Sequence, residues 1–338
     1  MEDLKRYISD NREKMLSELF DLLRIPSVSA VKSHGGDMRR TAEAIKKALL
    51  EKGADYASVM DTDGHPVVVG GKTVGPDKPT VLVYGHYDVQ PAEPLELWET
   101  EPFEPVIKPT ANHPEGAIFA RGANDDKGQM FMHLLAFEYM VKSNRLPCNV
   151  KFLIEGEEEI GSANLDKFLE KHAGELSCDV VLVSDTTMAG KELPSVMTGL
   201  RGLACFEVTV KGPSRDLHSG HFGGAVVNPC NALCSMIASL HDEKGRITIP
   251  HFYDDVHEVT PAERAEMEKA PFDPERYKKN IGVTAVSGEA GYTTRERATI
   301  RPALDVNGIW GGYTGEGAKT ILPSEAHAKI SMRLVPGQ

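Results

Sequence analysis

The apolar positions of this chain recur with two different periods. Leu4, Tyr7, Ile8, Leu16, Leu19, Phe20 and Leu23 fall at helical spacing, and Pro26 closes that run. Met38, Ala42, Ile45 and Leu49 predict a second helix, with Asp37 as its N-cap and Gly53 as its stop. Short apolar stretches at 57–60, 66–69, 81–84, 150–154 and 178–184 read as strands. The stretch at 81–84 is apolar without alternation, as in a parallel-sheet strand covered on both faces, and 150–154 is of the same buried type. Helical patterns lie between them, one carrying Met130, Leu134, Phe137 and Val141 and another over 163–175. Strands alternating with helices specify an α/β fold with a doubly wound, mostly parallel sheet over residues 1–195.

Beyond Ser195 the texture changes. Residues 203–211 alternate apolar and polar from Phe206 onward, the pattern of a sheet solvated on one face. A glycine-rich loop over 212–224 bears His218 and His221, a helix begins at Asn228, and 303–310 and 326–334 supply further strands. Residues 250–301, charged and broken by prolines, read as an irregular insertion. Residues 196–338 are therefore expected to form a smaller α+β domain.

Chemistry gathers where the strands end. His86 and Asp88 follow the 81–84 strand, and in extended backbone residues two apart share a side. Glu158 and Glu159 follow the strand at 150–154, and Asp185 follows the one at 178–184. Asp125 and Asp126 lie in a glycine-punctuated turn before a helix. Each feature alone has a plain structural use: a surface His–Asp contact, a helix cap, a solvated acidic cluster. Ligands of α/β sheets, however, bind outside the carboxyl ends of the strands, and these groups converge on that edge. His, Asp and Glu without Cys form the donor set of a hydrolytic divalent-metal site, zinc first, with manganese and cobalt admitted by the same donors. A free carboxylate beside such a site can act as general base.

Composition narrows the field. A net charge of −12 without a basic stripe argues against a nucleic-acid partner, whose phosphates need Lys and Arg. No apolar run approaches membrane-spanning length, and the N-terminus lacks the apolar core of a signal peptide. The five cysteines are scattered without a CxxC pair, which suits buried thiols in a reducing, cytoplasmic setting.

The motifs Gly-His-Tyr-Asp-Val-Gln-Pro, Arg-Gly-Ala-Asn-Asp-Asp-Lys-Gly, Ile-Glu-Gly-Glu-Glu-Glu-Ile-Gly-Ser and Ser-Asp occur in that order. Together they resemble the successive motifs of the M20 metallopeptidases, and Asp-Leu-His-Ser-Gly-His-Phe-Gly-Gly with Gly-Ala-Lys-Thr-Ile-Leu-Pro resembles the carnosinase and cytosolic nonspecific dipeptidase branch. The resemblance implies a two-metal hydrolase of dipeptides or C-terminal peptide bonds that works through metal-activated water, with a ferredoxin-like lid that also dimerises. It implies that His86 and Asp185 bind one metal ion, that Asp125 bridges two, and that Glu159 binds the second. Asp88 would orient His86, and Glu158 would be the general base. The peptide bond between Asp125 and Asp126 would be cis. His218 would reach the partner subunit's site to stabilise the oxyanion, and Arg301 would clamp a substrate carboxylate. The family takes a further metal-binding His from a C-terminal segment, and this chain stops at Val335-Pro-Gly-Gln338, so the resemblance implies a fragment with an incomplete lid. An N-acyl-amino-acid deacylase of the same family and a non-catalytic metal-binding or dimerisation fragment are the alternatives.

Overall fold

The computed structural model describes residues 2–111, 113–188, 195–197, 199–270 and 272–338. The chain divides into two compact units, Met1–Thr187 and Met188–Gln338. In the first, α1 spans Glu2–Leu23, α2 Gly35–Glu51, β1 Tyr56–Met60, β2 Val67–Lys72, β3 Thr80–His86, β4 Val106–Lys108, β5 Ala117–Phe119, α3 Lys127–Lys142, β6 Asn149–Glu155, α4 Leu165–Leu176 and β7 Val180–Val183. A five-stranded sheet has the order β1-β2-β6-β3-β7. β3 runs parallel to β6 and β7, whereas β2 runs against both β1 and β6. Only β2 is therefore reversed, because it returns from β1 through a short turn and a hairpin pair is antiparallel.

Successive residues of a strand face opposite ways, and both faces of this sheet are covered. Val68, Val83, Phe152 and Ile154 pack with Met38, Ile45 and Leu49 of α2 and with Met130, Leu134 and Phe137 of α3. Val67, Val69, Leu82 and Leu153 pack with Phe168 and Leu176 of α4. This two-sided burial is the physical origin of the unalternating apolar runs. Each fully buried leucine, such as Leu49 or Leu134, contributes about 1.5–3 kcal/mol. β7 is different: Val180, Val181, Leu182 and Val183 are each at least 40% exposed, since this edge strand pairs among the described residues with β3 alone.

Two cap expectations resolve differently. α2 starts at Gly35 with His34 at its N-cap, so Asp37 lies in the first turn, where it accepts a hydrogen bond from His34 Nδ1 at 2.7 Å. Gly53 does follow the helix end, with φ +104° and Val141 packed where a Cβ would stand.

A charged cluster ties α1, α2 and α3 together. Lys52, 4% exposed, donates to Glu18 at 2.6 Å and to the equally buried Glu138 at 3.1 Å. Burial pushes the Glu138 carboxyl up, but hydrogen bonds from Lys142 and Lys52 outweigh it and hold the group below its usual value. A depressed carboxylate pKa gives stability that is present above the unfolded-state pKa and is lost as pH falls through the folded-state pKa. Glu138→Gln is therefore expected to cost about 1–3 kcal/mol at pH 7. In melts run at stepwise lower pH, that difference should shrink through the carboxylate range, and a difference independent of pH would refute the ionic origin.

In the second unit, β8 spans Gly202–Lys211, β9 Leu217–His218, α5 Ser219–Phe222, α6 Pro229–Ala238, α7 Pro261–Glu268, α8 Pro274–Ile281, α9 Thr294–Thr299, β10 Ala303–Gly311, β11 Ile321–Leu322 and β12 Glu325–Leu334. β10, β12 and β8 form an antiparallel sheet in that order. Ala326, Ala328 and Ile330 face a core with Leu233 of α6, while Glu325 and Lys329 point to solvent, as the alternation predicts. The irregular insertion expected over 250–301 is corrected: it contains α7, α8 and α9. Thr260 with Glu263 and Thr293 with Glu296 form capping boxes, and Pro261 and Pro274 open their helices where no backbone donor is needed. The thiols are also less buried than expected. Cys205 and Cys234 are exposed, on a solvent-facing position of β8 and the outer side of α6, and all five cysteines are free.

Candidate metal centre

Because β6, β3 and β7 are parallel, their carboxyl ends share one edge of the first unit. β3 delivers His86 as its last residue, and β6 runs through Glu155 and Gly156 into a 3-10 turn at Glu158–Ile160. Gly156 is required there because Tyr87 packs against it, its ring 2.4 Å from where a Cβ would sit. Gly161, with φ +91°, ends the turn. Asp185 lies two residues beyond β7. Asp125 comes from the turn before α3, and the bond from Asp125 to Asp126 is cis, as the resemblance implied.

These residues meet around one ring nitrogen. His86 is fully buried, and its Nδ1 lies 3.1 Å from the carbonyl oxygen and 3.3 Å from the carboxylate Oδ1 of Asp88. With Nδ1–H committed to those acceptors, Nε2 is the nitrogen turned toward the other carboxylates. It faces Asp125 Oδ1 at 3.1 Å, Asp185 Oδ2 at 3.6 Å and Glu158 Oε2 at 3.9 Å. One donor atom from each of His86, Asp125 and Asp185 falls within 4.8 Å of the others, a group able to hold a metal ion. Glu158 stands beside it. Glu159 lies outside that group, and its carboxylate turns to Gln90.

Buried polar groups hold the cluster in place. Asp88, fully buried, accepts the Glu158 N–H on Oδ1 at 3.2 Å and the Glu159 N–H on Oδ2 at 3.1 Å. One carboxylate thus orients His86 and fixes the turn that carries both glutamates. Asp126 does not cap α3 with its side chain, and its Oδ2 accepts the His86 N–H at 3.0 Å instead. Glu155 accepts from Tyr84 Oη at 2.6 Å and Ser162 Oγ at 2.9 Å. Lys127 is fully buried and donates to the carbonyls of Leu22 and Ile25, which fastens the segment after α1 to the start of α3.

The charge balance tests whether a cation belongs here. Burial alone would lower the pKa of His86, yet Asp88, Asp126 and Asp185 drive it up to about 10. Burial pushes Glu158, Glu159 and Asp185 upward, and neighbouring carboxylates push them further. Asp126 is raised to about 7, chiefly by burial. Acids that raise one another around an imidazole forced to keep a proton are short of positive charge. A divalent cation supplies it, and oxygen donors with one imidazole suit zinc, manganese or cobalt.

The other expected site residues lie in the second unit. His218 is at the N-cap of α5 and exposed, and its Nδ1 accepts the Gly220 N–H at 3.0 Å, leaving Nε2 as the protonated nitrogen. Arg301 is not presented to solvent at all. It is fully buried, donates through Nε and Nη2 to Glu289 at 2.9 and 2.8 Å, and lies 4.3 Å from the centroid of the Tyr292 ring. Its fork is already occupied by a protein carboxylate.

Glu155 and Gln90 stand outside the site expected from sequence, and Asp126 enters it only as the neighbour of Asp125. Gln90 had a usable signal: His86, Asp88 and Gln90 continue the same period of two. Asp126 and Glu155 had none, because a capping Asp and a strand-end Glu look alike with or without a site.

The sequence profile described as Peptidase family M20/M25/M40 matches residues 82–311. The Cys-Gly metallodipeptidase dug1 of Schizosaccharomyces pombe is 32% identical over 348 residues, covering 99% of this chain and 72% of that protein. The Beta-Ala-His dipeptidase of Rattus norvegicus is 30% identical over 351 residues, covering 99% and 70% respectively. Among solved structures, an M20 family metallo-carboxypeptidase from Sulfolobus solfataricus is 37% identical with a TM-score of 0.79, covering 96% of this chain and 72% of that one.

Proposed function

The chain belongs to peptidase family M20/M25/M40, and from that premise we propose how its residues divide the work of cutting a dipeptide. It is a hydrolase, and its relatives support metal-dependent hydrolysis of dipeptides. The observation that carries the assignment of roles is His86 Nε2 facing Asp125, Asp185 and Glu158 at one sheet edge.

In this reading His86, Asp185 and Asp125 would hold one divalent ion, and Asp125 with Glu159 would hold a second. Zinc is the leading candidate, with manganese and cobalt served by the same donors. When bound, such ions polarise a scissile carbonyl and make a water acidic at neutral pH. Glu158 takes the proton of the attacking water on its carboxylate and returns it to the leaving amine. Asp88 holds the Nδ1–H of His86 and the backbone of the glutamate turn, so neither glutamate has to reorganise during turnover. His218 donates its Nε2–H to the oxyanion, in a homodimer in which the partner subunit supplies this residue. Residues 1–195 would then be the catalytic domain and 196–338 the lid and dimerisation domain. The free cysteines fit a cytoplasmic setting. Arg301, whose fork is held by Glu289, is given no substrate contact in this reading.

The test is a substrate panel on the zinc-loaded chain, with Cys-Gly and β-Ala-His set against N-acetyl and N-succinyl amino acids. Higher kcat/KM on the dipeptides is expected. The opposite ranking would make the chain an N-acyl-amino-acid deacylase. Zinc binding without turnover on either class would leave a metal-binding or dimerisation module.

A further inference from the structure

Gln90 follows the strand-end pair His86 and Asp88 by the same two-residue step, and no catalytic or metal-binding role falls to it above. Its side-chain amide nitrogen donates to Glu159 Oε2 at 2.7 Å and to the Glu159 backbone carbonyl at 3.2 Å. A primary amide has two N–H groups, and both are spent on this one residue. The orientation of the amide is forced, because a flipped Gln90 would set its carbonyl against two acceptors. From the other side, the Glu159 N–H is held by Asp88 Oδ2 at 3.1 Å. The 86–90 segment therefore grips Glu159 at its amide nitrogen, its carbonyl and one carboxylate oxygen.

We propose that Gln90 is the positioning residue for Glu159, holding one carboxylate oxygen so that Glu159 offers only Oε1 to a divalent cation. This rests on the reading that Glu159 is a metal ligand. The choice of side chain is chemically specific. A lysine or arginine would hold the carboxylate too, but would compensate the charge that attracts the metal. A shorter amide at this position lacks the length of the present one. A neutral donor at this reach fixes the rotamer and leaves the charge for the ion.

The test titrates metal-free protein with Zn²⁺ by calorimetry, comparing wild type, Gln90→Met, Gln90→Glu and Glu159→Gln. Gln90→Met keeps length and packing while removing both donors. The ion whose affinity Glu159→Gln weakens should be the ion that Gln90→Met weakens, by about 10- to 100-fold, the scale of losing a partner of a metal ligand. Gln90→Glu removes the same donors but adds a charge that attracts the ion, so its zinc affinity should stand at or above that of Gln90→Met. In Gln90→Met, kcat at limiting zinc should fall with KM unchanged, and added zinc should restore it, which a general folding defect would not show. If Glu159→Gln loses affinity while Gln90→Met binds zinc as wild type does, the positioning role is overturned and the ligand reading stands. If Glu159→Gln leaves zinc binding unchanged, the ligand reading fails and this proposal falls with it.

Discussion

Glu158→Gln should keep its metal and lose turnover, with kcat falling by about 10²- to 10⁴-fold, the usual contribution of a positioned general base. The substitution preserves shape and removes the proton acceptor. Asp88 holds the Glu158 backbone N–H, so the replacement amide stands where the carboxylate stood. Stability provides an independent check with a definite sign. Burial and the nearby Asp185, Glu159 and Asp88 raise the Glu158 pKa, so its ionised form is disfavoured in the folded, metal-free protein. A raised carboxylate pKa removes stability as pH rises through the unfolded-state and then the folded-state value, and removing that charge relieves the penalty. The metal-free variant should therefore melt no lower than wild type at pH 7. Retained turnover would strip Glu158 of its role. Loss of zinc together with turnover would make it a ligand instead.

Asp88→Asn should damage metal binding and catalysis together. Both Asp88 carboxylate oxygens accept backbone N–H groups, from Glu158 and Glu159, and Oδ1 also lies 3.3 Å from His86 Nδ1. An asparagine presents an NH₂ to one of those donors, so a part-buried N–H loses its acceptor at a cost of about 1 kcal/mol. Zinc affinity is expected to fall about 10- to 100-fold because His86 loses the charged one of its two Nδ1 acceptors and keeps only the Asp88 carbonyl. Even at saturating zinc, kcat should drop by about 10²-fold, since a displaced turn carries Glu158 away from the reacting atoms. Zinc titration, thermal melts and kcat at saturating zinc separate the three effects. Wild-type behaviour in the first and last would leave Asp88 with a packing role alone.

The extent to which this protein could be read from its sequence follows the range of the forces involved. The two-sided sheet was legible because burial on both faces writes near-continuous apolar runs, as at 81–84. An apolar run does not by itself imply cover, as β7 lies exposed at an edge: the pattern records what a strand can bury and not what covers it. The helices within 250–301 are hard to read because charge and proline break up the apolar periodicity, although Thr260 with Glu263 and Thr293 with Glu296 carry capping-box spacing. Arg301 shows the limit at its clearest. Its sequence neighbours do not reveal Glu289 and Tyr292, which only folding brings to its guanidinium.

The sequence by itself determined the donor types and the edge on which His86, the glutamate pair and Asp185 gather, because these lie at or just beyond strand ends and parallel strands end together. It also determined the family, through motifs kept in order along the chain. Tertiary structure alone decided which nitrogen of His86 faces the carboxylates, that Asp88 holds both glutamates, and that Gln90 grips one of them. The last two are contacts between residues some 70 positions apart in the chain. Their geometry follows from the packing of β3 against β6 and of the turn after it, which no local pattern encodes.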